Sequence, residues 1–160
     1  MFDLLIEPTK LLLQTGIESF KKSNELKNLK FAIQDRIQRE IKFNEAICDT
    51  IAKENDDIIK IALIKSFKTS AFDSVNEGSV PLFLLIDGVF DKTVYSSNPK
   101  LKKYIYYLES ANSIIDLLDR AYYRLHVAKT LADCGKINSD FGYIKFMLSC
   151  LAKDIKNQER

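Results

Sequence analysis

The sequence predicts an all-α fold, a single-domain helical bundle of about five helices with two of them long and antiparallel. Three observations predict it. Only five Gly and three Pro occur in 160 residues, too few for the turns of a sandwich, barrel or propeller. Apolar residues recur at spacings of three and four over long stretches, which is the helical period. The breakers that do occur fall between those stretches. With 46% hydrophobic and 29% charged residues, the chain can bury enough apolar surface to offset its ordering entropy, so residues 1–160 read as one domain.

The first helix is predicted over Pro8–Lys22, where Leu13, Ile17 and Phe20 share a face and Pro8 lies near the first turn. The second runs from Asn24 to about Glu54 on a stripe of Leu26, Leu29, Ile33, Ile37, Ile41, Asn44, Cys48 and Ile51. At about 1.5 Å per residue it is roughly 45 Å long. Asn55, Asp56 and Asp57 offer N-cap chemistry for a third helix carrying Ile58, Ile59, Ala62, Phe67, Ala71, Phe72 and Val75, stopped by Gly78 and Pro81. A short buried helix over residues 81–86 follows, with Pro81 at N1. Asn98 and Pro99 form an N-cap and N1 pair that opens a second long helix, whose stripe is Leu101, Tyr104, Leu108, Ala111, Ile115, Leu118, Tyr122 and Leu125. Gly135 ends it as a C′ residue, and this helix is expected to lie antiparallel to the first long one. Ser139 or Asp140 caps a last helix bearing Ile144, Met147, Leu148, Leu151 and Ile155.

Charge and cysteine usage narrow the function classes. The net charge is +2 and the sequence pI about 8.3, whereas sequence-independent nucleic-acid binders concentrate basic residues and exceed a pI of about 9. Acids and bases are interspersed, with Asp35 set to pair with Arg39 and Arg36 with Glu40 at i,i+4 on a solvated face. Cys48, Cys134 and Cys150 form no C-x-x-C pair, which argues against a disulfide framework or zinc knuckle and fits a reducing compartment. Asp3 and Glu7 interrupt the apolar N-terminal stretch, which also lacks the basic start of a secretory signal, and Val80–Ile86 is too short to span a bilayer. A cytoplasmic location is expected.

Catalytic groups are sparse. His126 is the single histidine, so neither a carboxylate di-iron bundle nor a multi-histidine zinc site can be assembled. The glycines form no phosphate-cradling motif, and Asp73, Glu77, Asp87 and Asp91 lack EF-hand spacing. No metal and no cofactor is expected. Cys134 sits at a helix C-terminus, whose negative partial charge disfavours a thiolate.

Arg120-Ala121-Tyr122-Tyr123-Arg124-Leu125-His126 places Arg six residues before His inside a small helical protein. This string resembles the Arg-x(4–6)-His motif of HEPN ribonucleases. The resemblance implies a dimeric helical bundle that cleaves RNA without metal, with Arg120 stabilising phosphate charge and His126 as general acid or base. The family commonly has a polar residue where Ala121 stands. Arg120 and His126 also lie about 120° apart on a helical wheel. The competing expectation is that Arg120 pairs with Asp116 at i,i+4 and His126 bonds a neighbour.

The remaining candidates are binding residues. Asn44 interrupts the long apolar stripe, so its amide needs a partner, for which Tyr104 and Tyr122 are candidates, or a ligand. Tyr106 and Tyr123 lie off the stripe, near Lys102, Lys103, Arg120 and Arg124, a combination suited to a protein interface and also able to stack bases. The function expected first is therefore a small bacterial-type accessory or interaction protein, an adaptor, antitoxin-like or immunity-like partner, that binds a protein through a helical face. A homodimer is compatible with this. The HEPN-like ribonuclease is the alternative.

Overall fold

The computed structural model describes Gly16, Ser19 and residues 21–157. The helix expected over Pro8–Lys22 lies, but for four of its residues, outside them. The described chain runs α1 (Asn24–Lys53), α2 (Asp57–Lys65), α3 (Ser70–Asn76), α4 (Leu82–Leu85), α5 (Thr93–Ser96), a 3₁₀ turn (Pro99–Leu101), α6 (Lys102–Tyr107), α7 (Ile114–Asp133) and α8 (Phe141–Asn157). No strand forms among the described residues; an isolated antiparallel bridge joins Val89 to Ser113. The all-α prediction holds.

Local chemistry sets most boundaries where the sequence places them. The Ser23 hydroxyl caps α1 by accepting the Leu26 N–H at 3.1 Å. Asp56 caps α2 through the N–H groups of Ile58 and Ile59. Asn98 accepts the Lys100 N–H at 3.0 Å, with Pro99 at N1. Asp140, rather than Ser139, caps α8 through the Tyr143 N–H at 2.9 Å. At the end of α7, Gly135 has φ +70°, and the N–H groups of Gly135 and Lys136 bond the carbonyls of Ala132 and Leu131. That is a Schellman stop, which favours the residue without a Cβ.

The stripe of α1 is buried from Leu26 to Ile51, and it packs chiefly on α8. Gln38 donates to the Ala152 carbonyl, Glu45 meets Ser149, and Asp49 meets Lys145. Numbers that rise on one helix as they fall on the other make the pair antiparallel. α7 packs against α8 and α2. The main partner of the long α1 is thus the terminal helix, and not the helix after Pro99.

Two predicted helices are broken. The one expected from Asn98 to Gly135 stops at Tyr107 and restarts at Ile114. Asn112 and Ser113 point their N–H groups at the Asp116 carboxylate, and the Ser113 hydroxyl accepts the Asp116 N–H, forming a capping box. Residues from the preceding loop then take the backbone that a continuous helix would have used: Phe90 N–H bonds the Asn112 carbonyl, and the Gly88 carbonyl accepts from Ile114. Lys92 also reaches the Glu109 carbonyl at 2.6 Å. The Asn112 N–H, foremost, and Ser113 hold the Asp116 carboxyl below the usual carboxylate range. A carboxyl lowered by folding stabilises at pH above its unfolded value and stops doing so as pH falls through its folded one. Asp116→Asn is therefore expected to cost about 1 kcal/mol at neutral pH. The difference in melting temperature from wild type should shrink as the solution is acidified below the ordinary carboxylate range.

The helix expected from Ile58 to Val75 breaks at residues 66–69, where the Asn44 amide intervenes. Asn44 is fully buried. Its Nδ2 donates to the Lys68 carbonyl at 2.6 Å and its Oδ1 accepts the Lys68 N–H at 2.8 Å. It meets neither Tyr104 nor Tyr122, because a backbone segment fills the space opposite it. Lys129 on α7 holds the same linker through the Phe67 carbonyl at 2.8 Å. The seven-residue α3 that follows has no side-chain cap of its own. Glu40, only 6% exposed, supplies one from α1, accepting the N–H groups of Ala71 at 2.8 Å and Phe72 at 3.3 Å. The Tyr122 hydroxyl donates to it at 2.9 Å and the Ser70 hydroxyl, more weakly, at 3.5 Å. Asp35 and Arg39 pair as expected; the Arg36–Glu40 pair does not form, because Glu40 faces inward.

Candidate functional site

Tyr106 and Tyr123 are 72% and 70% exposed. Tyr106 stands on α6 and Tyr123 on α7, and the buried Tyr143 in the first turn of α8 touches a neighbour of each. The Tyr106 ring lies 6.2 Å from that of Tyr107, and Tyr107 lies 5.6 Å from Tyr143, edge to face. The Arg124 guanidinium stands over the Tyr143 ring, 4.9 Å from its centroid, a favourable cation–π distance. Beside Arg124, a hollow of about 330 Å³ is lined by Tyr123, Arg124, Val127, Asn138 and Ile144, among others.

The basic residues of this face are differently engaged. Lys102 and Lys103 are both exposed. Lys103 meets Asp140 at 3.5 Å and lies 5.7 Å from the Tyr107 ring. Arg120 donates to the Tyr107 carbonyl at 3.3 Å and to the Ser110 hydroxyl at 2.6 Å. It does not form the expected bond with Asp116, whose Oδ2 is taken by the capping box. Tyr143 is buried; burial pushes its hydroxyl above the ordinary tyrosine range, and Arg124 and Arg120 pull it back. Both guanidiniums thus act on one phenol from adjacent turns of α7.

His126 leaves this face. Its Nε2 lies 2.9 Å from Asp73 Oδ1 on α3. Arg120 reaches the α6–α7 connection and His126 reaches α3, and they share no bonding partner among the described residues. Asn44, the remaining binding candidate, spends its amide on the Lys68 backbone and lies away from the tyrosine face. Cys48 and Cys150 are buried, and burial above all pushes each thiol up to about 12; such thiols are protonated and inert near neutrality. Cys134 is exposed.

Among the described residues no group of three or more His, Cys, Asp or Glu side chains is placed to hold a metal ion, and no helix is long and apolar enough to cross a membrane. Sequence reasoning missed Tyr107, Tyr143 and the bracing of Arg120 by the Tyr107 carbonyl and the Ser110 hydroxyl, which depend on the break between α6 and α7; the capping box at that break was the local signal available. No family model, curated protein or solved structure matches this chain.

Proposed function

We propose that this chain is a small accessory protein that binds a protein partner through the face carrying Tyr106, Tyr107, Tyr123 and Arg124. The exposure of Tyr106 and Tyr123, 72% and 70%, the first in ring contact with Tyr107 and the second lining a hollow with Arg124, is the observation that supports it. Tyrosine and arginine carry much of the energy of protein interfaces because they bury large area at low entropic cost and keep a polar handle. A monomer gains nothing from holding several such groups in water.

The test is affinity capture from native cells with the tagged chain beside its Tyr106→Ala/Tyr123→Ala double variant. A stoichiometric protein retained by wild type should fall by about 30-fold or more with the variant, while its helical circular dichroism is unchanged. Equal retention by both, or no retained protein under several conditions, overturns the reading. Light scattering of the purified chain identifies the case in which the partner is a second copy. The ribonuclease alternative makes a separate prediction: cleavage of RNA by the purified chain, lost in both Arg120→Ala and His126→Ala.

A further inference from the structure

We infer that the pair Arg120 and Arg124 is a receptor for a carboxylate, and that the partner segment docking on this face is acidic. The inference rests on the partner-binding reading above and specifies the partner's chemistry. The two guanidiniums stand one turn apart on α7, and like charges at i,i+4 repel. Neither forms an ion pair with a carboxylate among the described residues. Two of the nearby acids, Asp140 and Asp116, have their bonds elsewhere, and Asp116 acts on Arg120 only through space. Asp140 caps α8 and holds Lys103 and the Tyr104 hydroxyl, while Asp116 closes the capping box.

Both arginines are also held in place before any ligand arrives. Arg120 is fixed by the Tyr107 carbonyl and the Ser110 hydroxyl and also bonds the Tyr143 hydroxyl, which leaves part of its five-donor fork open. Arg124 is fixed by stacking on Tyr143. Ordering a long side chain is a main entropic cost of binding, so a pre-ordered guanidinium pair presents its remaining donors cheaply. Planar N–H forks match carboxylates in geometry as well as charge. The hollow beside Arg124 has Tyr123, Val127 and Ile144 on one part of its wall and Asn138, Ser139 and Asp140 on the rest, so its apolar part accommodates an apolar side chain next to that carboxylate. Exposed Asp119 on the same helix and Asp140 at the rim interrupt the positive surface. That pattern suits a discrete carboxylate better than a phosphate backbone, which is tracked by a continuous basic strip.

Fluorescence anisotropy with a labelled glutamate-rich peptide containing interspersed leucines tests this on the intact chain. Binding should weaken by about 10-fold or more when glutamine replaces each glutamate in the peptide, and again in Arg124→Gln, since hydrogen bonds to charged groups are the stronger ones. Arg39→Gln should bind as wild type, because Arg39 is already paired with Asp35. Circular dichroism confirms that each variant is folded, and Arg124→Gln removes no structural hydrogen bond. Equal affinity for the glutamine peptide, or unchanged affinity in Arg124→Gln, overturns the inference. So does tighter, arginine-dependent binding of a labelled single-stranded RNA. If a captured partner is lost with the tyrosine variant and retained by Arg124→Gln, the partner-binding reading stands and the carboxylate receptor falls.

Discussion

Glu40→Ala is expected to lower the stability of the fold by about 4 kcal/mol, read as a fall in the urea midpoint at unchanged slope. No cation among the described residues pairs with this buried carboxylate, and it is tolerated because the Ala71 and Phe72 N–H groups and the Tyr122 hydroxyl all point at it. Truncation leaves those three donors unpaired, each at a cost of about 1–3 kcal/mol. Tyr122 is fully buried and stacked on Phe72, with ring centroids 4.4 Å apart, so its hydroxyl cannot turn to water without disturbing the core. Glu40→Gln keeps an acceptor oxygen and should lose only about half as much. Tyr122→Phe removes one donor, and a double-mutant cycle with Glu40→Ala should return a coupling of about 1 kcal/mol. A loss below about 1 kcal/mol in Glu40→Ala would show that water replaces the carboxylate and that the cap is dispensable.

Asn44→Leu is the second large effect, and its sign is the informative part. A lone amide on an apolar seam usually sets register at some expense of stability, so leucine there stabilises. Here both ends of the amide bond the Lys68 backbone. Leucine strands one part-buried N–H and one carbonyl of Lys68 and brings a branched side chain into space that the 66–69 linker occupies. A loss of about 2–3 kcal/mol is expected in thermal or urea unfolding. The Lys68 amide should also lose its protection in hydrogen exchange, a change that a general loosening of the core would not confine to that residue. Increased stability would refute the clamp.

The parts of this fold that were legible in the sequence are those decided locally. Ser23, Asp56, Asn98 with Pro99, Asp140 and Gly135 each act on backbone groups within a few residues, and each ends or begins a helix in place. The two breaks were misread because apolar spacing reports burial and not helical continuity. Phe67 stays buried across the first break, and Leu108 and Ala111 across the second, so the stripe runs on while the backbone does not. At the second break a local signal was present in Ser113-Ile114-Ile115-Asp116, a capping box preceded by Asn112. At the first, the deciding groups are Asn44, Lys129 and Glu40, all remote in sequence. The exposed tyrosines were visible as residues off the stripe. Glu40 was misassigned because its spacing to Arg36 matches a surface pair equally well.

The way α3 is held has a consequence for the order of assembly. Seven residues with no cap of their own cannot persist as an isolated helix, and the cap they use comes from Glu40, 31 residues before Ala71. Its third donor, Tyr122, lies 82 residues from Glu40. α3 therefore cannot be an early nucleus; its first turn acquires its cap only once α1 has come against it, and Tyr122 of α7 then completes the bonding of Glu40. In native-state exchange the amides of Ala71 and Phe72 should open with the same free energy as the centre of α1, despite belonging to a helix of only seven residues.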